Sequence, residues 1–190
     1  REELVVLGLA LEGHPDNSTA AMFGGCTLAL PHARGVRVVP AQVHPAIGFA
    51  LAWPASPLPT SAARKVLPTS VAFADAIENP RRLAMLLAGL ASADPELLLL
   101  GQEDRLHTRY RLPLIRGGAE ALAAAHAAGA WLATLSGSGS GLLALGAHAD
   151  MPEIARAMQG ALEARDPPAH ARVVDVVREA PEVRWLPKRS

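Results

Sequence analysis

The amino-acid sequence predicts an α+β fold in which helices lie on one face of an antiparallel sheet. Strand-like and helix-like segments follow one another in mixed order, which is typical of this class. The dipeptides Asn79-Pro80 and Asp94-Pro95 place a capping residue before a proline and so indicate helix starts. Half of the 190 residues are apolar, which is enough to bury a sizeable core.

The first 53 residues combine a helix, a polar turn and strands. Residues 1–11 predict the end of an apolar helix, and the string Glu12-Gly13-His14-Pro15-Asp16-Asn17 predicts a turn because Gly and Pro interrupt helices. Asn17 is expected to cap a second helix that ends at Gly24-Gly25. Three strands of one antiparallel unit are predicted at residues 26–30, 36–39 and 46–53.

Residues 54–59 contain three prolines and predict an extended connector. We therefore expect a boundary here, with one domain over residues 1–53 and another over residues 54–190. After the connector, Thr60 or Ser61 is expected to cap a short helix that carries Arg64 about one turn in and ends at Pro68.

The second half of the chain predicts further helices and strands. Asn79-Pro80 should start a helix that ends near Ser92, and Asp94-Pro95 should start one that continues to about Leu106. Gly129 closes an Ala-rich helix over residues 118–128. Two paired strands, a last helix and a final strand are predicted at residues 130–135, 142–145, 152–165 and 172–177.

Composition excludes several functional classes. Eighteen basic residues balance eighteen acidic ones, so no overall field favours nucleic acid or an anionic membrane. Cys26 is the only cysteine, which rules out an internal disulfide or a thiolate metal cluster. The apolar runs are too short to span a membrane, and no signal-peptide pattern opens the chain, so we expect a soluble cytoplasmic protein. Because the chain begins with Arg1 in the middle of a helical pattern, we also expect sequence upstream of it.

The polar turn and four later segments resemble a known family. The turn, a small-residue helix and Phe23-Gly24-Gly25 together resemble the substrate-side motif of homoserine kinases. These enzymes belong to the superfamily of galactokinase, homoserine kinase, mevalonate kinase and phosphomevalonate kinase. The segments that follow in the family's order lie at residues 60–68, 104–107, 110–115 and 135–140.

This resemblance implies a fold, an activity and a set of ligands. It implies a ferredoxin-like C-terminal domain over residues 54–190, preceded by the end of an N-terminal kinase domain. The implied reaction is ATP-dependent phosphorylation of the side-chain hydroxyl of L-homoserine on the route to threonine, with ATP and Mg²⁺ as cofactors. L-homoserine and ATP are the implied partners, and a homodimer is left open.

The resemblance also implies a substrate site. An amino acid carries a carboxylate and an ammonium, so its pocket needs guanidinium groups for the first and acceptors for the second. Arg64 and Arg111 resemble the two carboxylate-binding arginines of the family, and Thr60 adds a hydroxyl beside Arg64. The residues that resemble the lining of the rest of the substrate site are His14, Asp16 and Asn17. No residue is assigned as a catalytic base.

Other parts of the reaction centre are less complete. Ser136, Gly137, Ser138 and Gly139 form a loop rich in backbone N–H groups, and it resembles the family motif that packs against the phosphate-binding loop. That phosphate-binding loop, of the type Gly-Leu-Gly-Ser-Ser-Ala, does not occur in the sequence, so we expect the 190 residues alone to be inactive. Glu12 is a weak candidate for the magnesium-binding glutamate. Asp104 and His107 are expected to form a structural pair on one helix face.

Two alternatives stay open at this point. One is a sister kinase of the superfamily that acts on a mevalonate-like or sugar alcohol. The other is a non-catalytic amino-acid-binding module with a ferredoxin-like fold. The polar turn and the two arginines placed for an amino acid favour the homoserine kinase interpretation over the first alternative.

Overall fold

The computed structural model describes residues 2–182. Among these residues, 2–43 and 176–182 form one compact unit, and His44–Asp175 form the other. The two units are described in turn.

The first unit consists of two helices and a two-stranded antiparallel sheet. The helices are α1 (Glu2–Glu12) and α2 (Asp16–Phe23), and the strands are β1 (Cys26–His32) and β2 (Gly35–Ala41). Gly24 ends α2 with a φ of 74°, a backbone conformation that favours glycine, and its N–H donates to the carbonyl of Ala20. The predicted helix stop at Gly24-Gly25 is therefore confirmed.

The second unit is built on a four-stranded antiparallel sheet. Its strands are β3 (Ile47–Trp53), β4 (Leu132–Leu135), β5 (Leu142–Ala147) and β6 (His170–Val174), arranged in the order β4-β5-β3-β6. Every neighbouring pair is antiparallel. Helices separate β3 from β4 and β5 from β6, which gives the β-α-β-β-α-β order of a ferredoxin-like fold. The predicted fold class is therefore confirmed.

The helices of this unit differ greatly in length. They are α3 (Thr60–Lys65), α4 (Phe73–Ser92), α5 (Pro95–Gly101), α6 (Thr108–Arg111), α7 (Gly118–Ala127) and α8 (Met151–Glu163). Two 3₁₀ turns, Leu112–Leu114 and His148–Asp150, complete the unit. In the described part of the chain, no helix is long and apolar enough to cross a membrane.

The core lies between one face of the sheet and the helices α7 and α8. The strands contribute Ala50, Ala52 and Ala144, all of which are fully buried. Opposite them, α8 contributes larger side chains, including Met158 and Leu162. Because many of the strand residues on this face are alanines, the helices approach the sheet closely and large side chains fill the space between them. This packing agrees with the prediction of helices on one face.

The helices α4 and α5 pack side by side through two glycines. Asp94 caps α5 as predicted, because its Oδ1 accepts hydrogen bonds from the N–H groups of Glu96 and Leu97. A methyl group at Gly101 would lie 2.6 Å from the Cα of Leu86, and one at Gly89 would lie 2.8 Å from the amide nitrogen of Leu98. The absence of a side chain at both positions therefore allows the close approach.

The predicted grouping of the first three strands is wrong. β1 pairs with β2, but β3 pairs with β5 and β6 in the second sheet. The buried residues of β3, such as Ala50, fit the core of that sheet rather than the exposed β1–β2 pair. As a result, the compact units divide at residues 43 and 44, whereas the expected boundary is at residues 53 and 54.

Three predicted helix caps are also wrong. Asn17 lies inside α2 because Pro15 occupies the capping position, and Pro59 takes the same position before α3 in place of Thr60 or Ser61. Asn79 and Pro80 lie within α4, which begins at Phe73. The amide of Asn79 bonds to the distant Asp104 instead of capping a helix.

The helix that starts at Pro95 is shorter than predicted. It ends at Gly101, and residues 102–107 form a separate turn before α6. Within this segment, the Oε1 atom of Gln102 accepts a hydrogen bond from the N–H of Ala133 in β4, at 2.9 Å. The segment is therefore attached to β4.

A side chain added at the glycine contact between α4 and α5 should destabilise the protein. Because Gly101→Ala would force backbone atoms apart, we expect a loss of about 1–3 kcal/mol in the free energy of unfolding, measured by denaturant titration. The matched control is Gly160→Ala on α8, where an added methyl group meets no atom within 4 Å and should stabilise the helix by about 0.5–1 kcal/mol. Equal effects of the two substitutions would contradict this interpretation of the packing.

Candidate active site

The predicted site residues of the first unit lie in the turn between α1 and α2. Gly13 leaves α1 with a φ of 76°, and Pro15 is buried beneath the turn. The Nδ1 atom of His14 lies 3.7 Å from Oδ2 of Asp16 and, although buried, has no hydrogen-bond partner among residues 2–182. Asp16 and Asn17 are exposed. The turn therefore presents a carboxylate, a carboxamide and an imidazole with free hydrogen-bonding capacity.

This turn does not form a metal site from the described residues. Within residues 2–182, no three His, Cys, Asp or Glu side chains are grouped so that they could hold a metal ion. Glu12, the candidate magnesium ligand, is exposed at the end of α1. The residues of this part of the chain therefore do not by themselves fit a magnesium ion.

In the second unit, the short helix α3 connects the other predicted site residues. The hydroxyl of Thr60, at its first turn, lies 3.3 Å from the hydroxyl of Ser138. The carbonyl of Ala63 accepts a hydrogen bond of 3.2 Å from Nε of Arg111. Arg64 follows Ala63 directly and is exposed. α3 thus brings Thr60, Arg64, Arg111 and Ser138 into one cluster.

Neither arginine of this cluster forms an ion pair with a carboxylate of residues 2–182. Within residues 44–175, the arginines that form ion pairs are Arg81, Arg82, Arg105, Arg109, Arg156 and Arg165. No ion pair of Arg64 or Arg111 is found among the described residues. Arg111 is half-buried, and its two terminal amino groups stay available after its Nε has bonded to Ala63. The cluster can therefore receive an anion.

The connector before α3 is fixed by a carboxylate that sequence reasoning missed. Asp166 is only 8% exposed, and its two carboxylate oxygens accept hydrogen bonds from the backbone N–H and the hydroxyl of Ser56, at 3.1 and 3.0 Å. Its carbonyl also accepts from the N–H of Ala55. Because the partners are 110 positions apart in the sequence, no local signal predicts this contact.

The Ser-Gly loop packs against this connector and the segment after α6. A tight turn forms where the N–H of Gly139 donates to the carbonyl of Ser136, at 3.1 Å. Gly139 has a φ of 88°, and a methyl group there would lie 2.9 Å from Ile115 and 3.3 Å from Leu58. Glycine at this position therefore lets the loop rest on both side chains, while Ser138 reaches Thr60.

Asp104 and His107 pair with each other, but not on a helix face as expected. They lie in the turn before α6, where Nε2 of His107 is 3.6 Å from Oδ2 of Asp104. Burial raises the pKa of the Asp104 carboxyl, but hydrogen bonds from Thr108, His107 and Asn79 outweigh it, so the pKa is lower than usual. Asp104 is therefore held in its charged form.

The half-buried His107 is held in its neutral form. Burial lowers the pKa of the imidazole; the Asp104 carboxylate raises it and the Arg111 cation lowers it further. The net pKa lies below the ordinary value of 6.5. Its Nδ1 is buried without a hydrogen-bond partner. The pKa of His107 is thus subject to opposite effects from the Asp104 carboxylate and the Arg111 cation.

Two open grooves lie on the second unit, one on each side of the sequence segment that carries Arg111. One of about 340 Å³ lies between α4, the turn before α6 and β4, and Asp104, His107 and Gly137 are on its wall. Another of about 630 Å³ lies beside the segment after α6, and its lining includes Ile115 and the cations Arg109 and Arg116. Sequence reasoning did not single out either arginine.

Part of the second unit matches a known protein family. Residues 86–164, which run from within α4 to the end of α8, match the family described as GHMP kinases C terminal. This stretch is therefore similar to the C-terminal domain of GHMP kinases.

Similar proteins over nearly the whole chain carry the name homoserine kinase. The chain is 37% identical to the homoserine kinase of Synechococcus sp. strain RCC307 over 100% of its own length and 60% of that protein. It is 40% identical to that of Picosynechococcus sp. strain PCC 7002, over 93% of the chain and 58% of the relative. The chain is thus a homologue of homoserine kinases and spans about 60% of the length of these curated relatives.

A solved structure confirms the fold. The crystal structure of homoserine kinase from Cytophaga hutchinsonii superimposes with a TM-score of 0.83 and 26% sequence identity. The match covers 92% of this chain and 56% of that one.

The neutral form of His107 should make stability depend on pH. Because the folded state lowers the pKa of His107, the unfolded chain binds the proton more readily, so the free energy of unfolding should fall as the pH drops below about 6.5. Asp104, whose folded pKa is also lowered, adds a second loss below about 3.8. His107→Gln should flatten the first decline, measured by denaturant unfolding at successive pH values. Parallel pH profiles of the two proteins would contradict the assignment.

Proposed function

We propose that the protein to which this chain belongs phosphorylates the side-chain hydroxyl of L-homoserine, with ATP as the phosphoryl donor. The observation that carries this proposal is the pair Arg64 and Arg111, which α3 brings together and for which the described residues supply no carboxylate partner. Two such cations are suited to a ligand that carries its own carboxylate. The names of the relatives support the choice of homoserine.

The two arginines would bind the substrate carboxylate. The guanidinium of Arg111 uses its Nε to hold Ala63 and can offer its terminal amino groups to two carboxylate oxygens at once. Arg64 is adjacent to Ala63 and can add a second charge. Thr60 and Ser138, whose hydroxyls lie 3.3 Å apart, would supply neutral hydrogen bonds beside the arginines.

The polar turn of the first unit carries the other residues proposed as substrate ligands. The exposed carboxylate of Asp16 and the amide oxygen of Asn17 are acceptors that an ammonium group needs. His14, with its unpartnered Nδ1, can bond to the ammonium or to the hydroxyl that is phosphorylated. These roles rest on the resemblance of the turn to the substrate-side motif of the family.

Phosphoryl transfer mainly requires that the hydroxyl be aligned with the γ-phosphoryl group and that the charge be neutralised. The residues of this chain would hold the substrate, and the loop of Ser136, Gly137, Ser138 and Gly139 would support the nucleotide side. ATP and Mg²⁺ are cofactors of the proposed whole enzyme. Its product would be O-phospho-L-homoserine, a precursor of threonine, formed in the cytoplasm. We assign no general base.

The test of this function is ADP release by the intact gene product. The enzyme would be supplied with ATP and Mg²⁺ and, in separate assays, with L-homoserine, L-serine, L-threonine, mevalonate and galactose. Release with L-homoserine alone is the expected result. Release only with mevalonate or galactose would assign a sister kinase instead, and no release with any of them would overturn the proposed activity.

Removal of the Arg111 guanidinium should weaken substrate binding more than it slows the chemical step. A charge-assisted contact contributes about 1.5–3 kcal/mol, so Arg111→Ala should raise the KM for L-homoserine about 10- to 100-fold and change kcat far less. Arg111→Lys should recover only part of the loss, because an ammonium cannot make the bidentate contact. Steady-state kinetics of the intact protein would measure both values.

The control for this prediction is Arg172→Ala. Arg172 is an exposed arginine on β6 that contacts the ring of Trp53, and it is not one of the predicted substrate ligands. Its substitution should leave the KM for L-homoserine unchanged. If Arg111→Ala saturates with homoserine as the wild type does, the carboxylate-binding role of Arg111 is wrong.

A further inference from the structure

We infer that Asp104, anchored by Asn79, is a positioning residue that sets Arg111 for the carboxylate of an amino-acid substrate. This inference rests on the proposed function and adds a residue pair that holds its carboxylate-binding arginine in place. Neither Asp104 nor Asn79 belongs to the predicted substrate ligands. Both act on Arg111 through the backbone of the turn that precedes it.

Asp104 determines where the short helix α6 begins. Its Oδ1 accepts hydrogen bonds from the N–H groups of Leu106, His107 and Thr108, at 3.1, 2.6 and 2.8 Å. The N–H of Arg111 in turn donates to the carbonyl of His107, at 3.1 Å. Since α6 has only four residues, its own hydrogen bonds cannot stabilise it. The backbone of Arg111 therefore depends on the carboxylate of Asp104.

Asn79 connects this turn to the long helix α4. Its Nδ2 donates to Oδ2 of Asp104 at 2.7 Å, and its Oδ1 accepts from the N–H of Arg105 at 2.9 Å. The side-chain amide of Asn79 thus holds both the carboxylate of Asp104 and the backbone N–H of Arg105. Because α4 has 20 residues and packs along α5, it provides a rigid base for the turn.

Arg111 is consequently held at two points. Asp104 fixes its backbone through α6, and Ala63 accepts a hydrogen bond from its Nε. A guanidinium held at both ends loses less freedom when it binds a carboxylate, which favours affinity for the substrate. Both oxygens of Asp104 are already engaged, and its pKa is lowered, so the same residue is unsuited to act as a base.

The test exchanges the donor and the acceptor of the Asn79–Asp104 pair in the intact gene product. In Asp104→Asn, two amide groups would face each other, and the turn should loosen. We expect the KM for L-homoserine to rise about tenfold while kcat and the KM for ATP change less than about threefold. Adding Asn79→Asp restores a donor opposite an acceptor, and Arg105 keeps its acceptor. This double variant should return the KM to within about threefold of the wild type.

A control at another helix cap of the unit distinguishes a positioning role of Asp104 from a general effect on stability. Asp94 caps α5 through the N–H groups of Glu96 and Leu97, which belong to α5 and not to α6. Asp94→Ala and Asp104→Ala should both lower the melting temperature, but only the second should raise the KM for L-homoserine. If Asp104→Asn does not fold, Asn79→Ala removes the α4 anchor alone and gives the same measurement.

The outcomes distinguish the inference from the proposed function. If the wild type does not phosphorylate L-homoserine, the proposed function fails and this inference fails with it. If the wild type is active but the Asp104 and Asn79 variants keep its KM, the inference alone is overturned. A double variant as weak as Asp104→Asn would also overturn it, because the position of the negative charge would then matter more than the hydrogen-bond pattern.

Discussion

The pairing of β3 with two neighbours is the constraint on which the second unit depends. β3 bonds to β5 along one edge and to β6 along the other, so it joins the hairpin of β4 and β5 to the last strand. Its small buried residues Ala50 and Ala52 lie under α8. Because the connector to α3 leaves directly from the end of β3, the candidate site is attached to an inner strand of the sheet.

The candidate site itself is carried by elements too short to be stable alone. α3 has six residues and α6 has four, and a carboxylate holds the segment that precedes each of them. Asp166 fixes the residues before α3, and Asp104 fixes the turn before α6. Polar groups removed from water destabilise a protein unless they are hydrogen-bonded, and both carboxylates satisfy this condition. The stability of these two segments is thus coupled to the geometry of the candidate site.

The sequence predicted local features well and long-range contacts poorly. Apolar runs and Gly or Pro signals located most strands and helices, and the Asp94 cap was predicted correctly because its partners are adjacent. Asn79 carried an equally strong cap signal, but Asp104 competes for its amide from 25 positions away. The site arginines were found through a family resemblance, whereas the contact between Arg111 and Ala63 required the folded chain.

The bond between Gln102 and Ala133 has a consequence for self-association. β4 lies at the edge of the four-stranded sheet, where N–H groups not used within the sheet can hydrogen-bond to a strand of another molecule. The side chain of Gln102 accepts a hydrogen bond from one of these N–H groups, and β4 has only four residues. A strand of another molecule could pair with β4 only by displacing Gln102 and the segment that carries it. The segment that leads to α6 therefore also protects the protein from edge-to-edge aggregation.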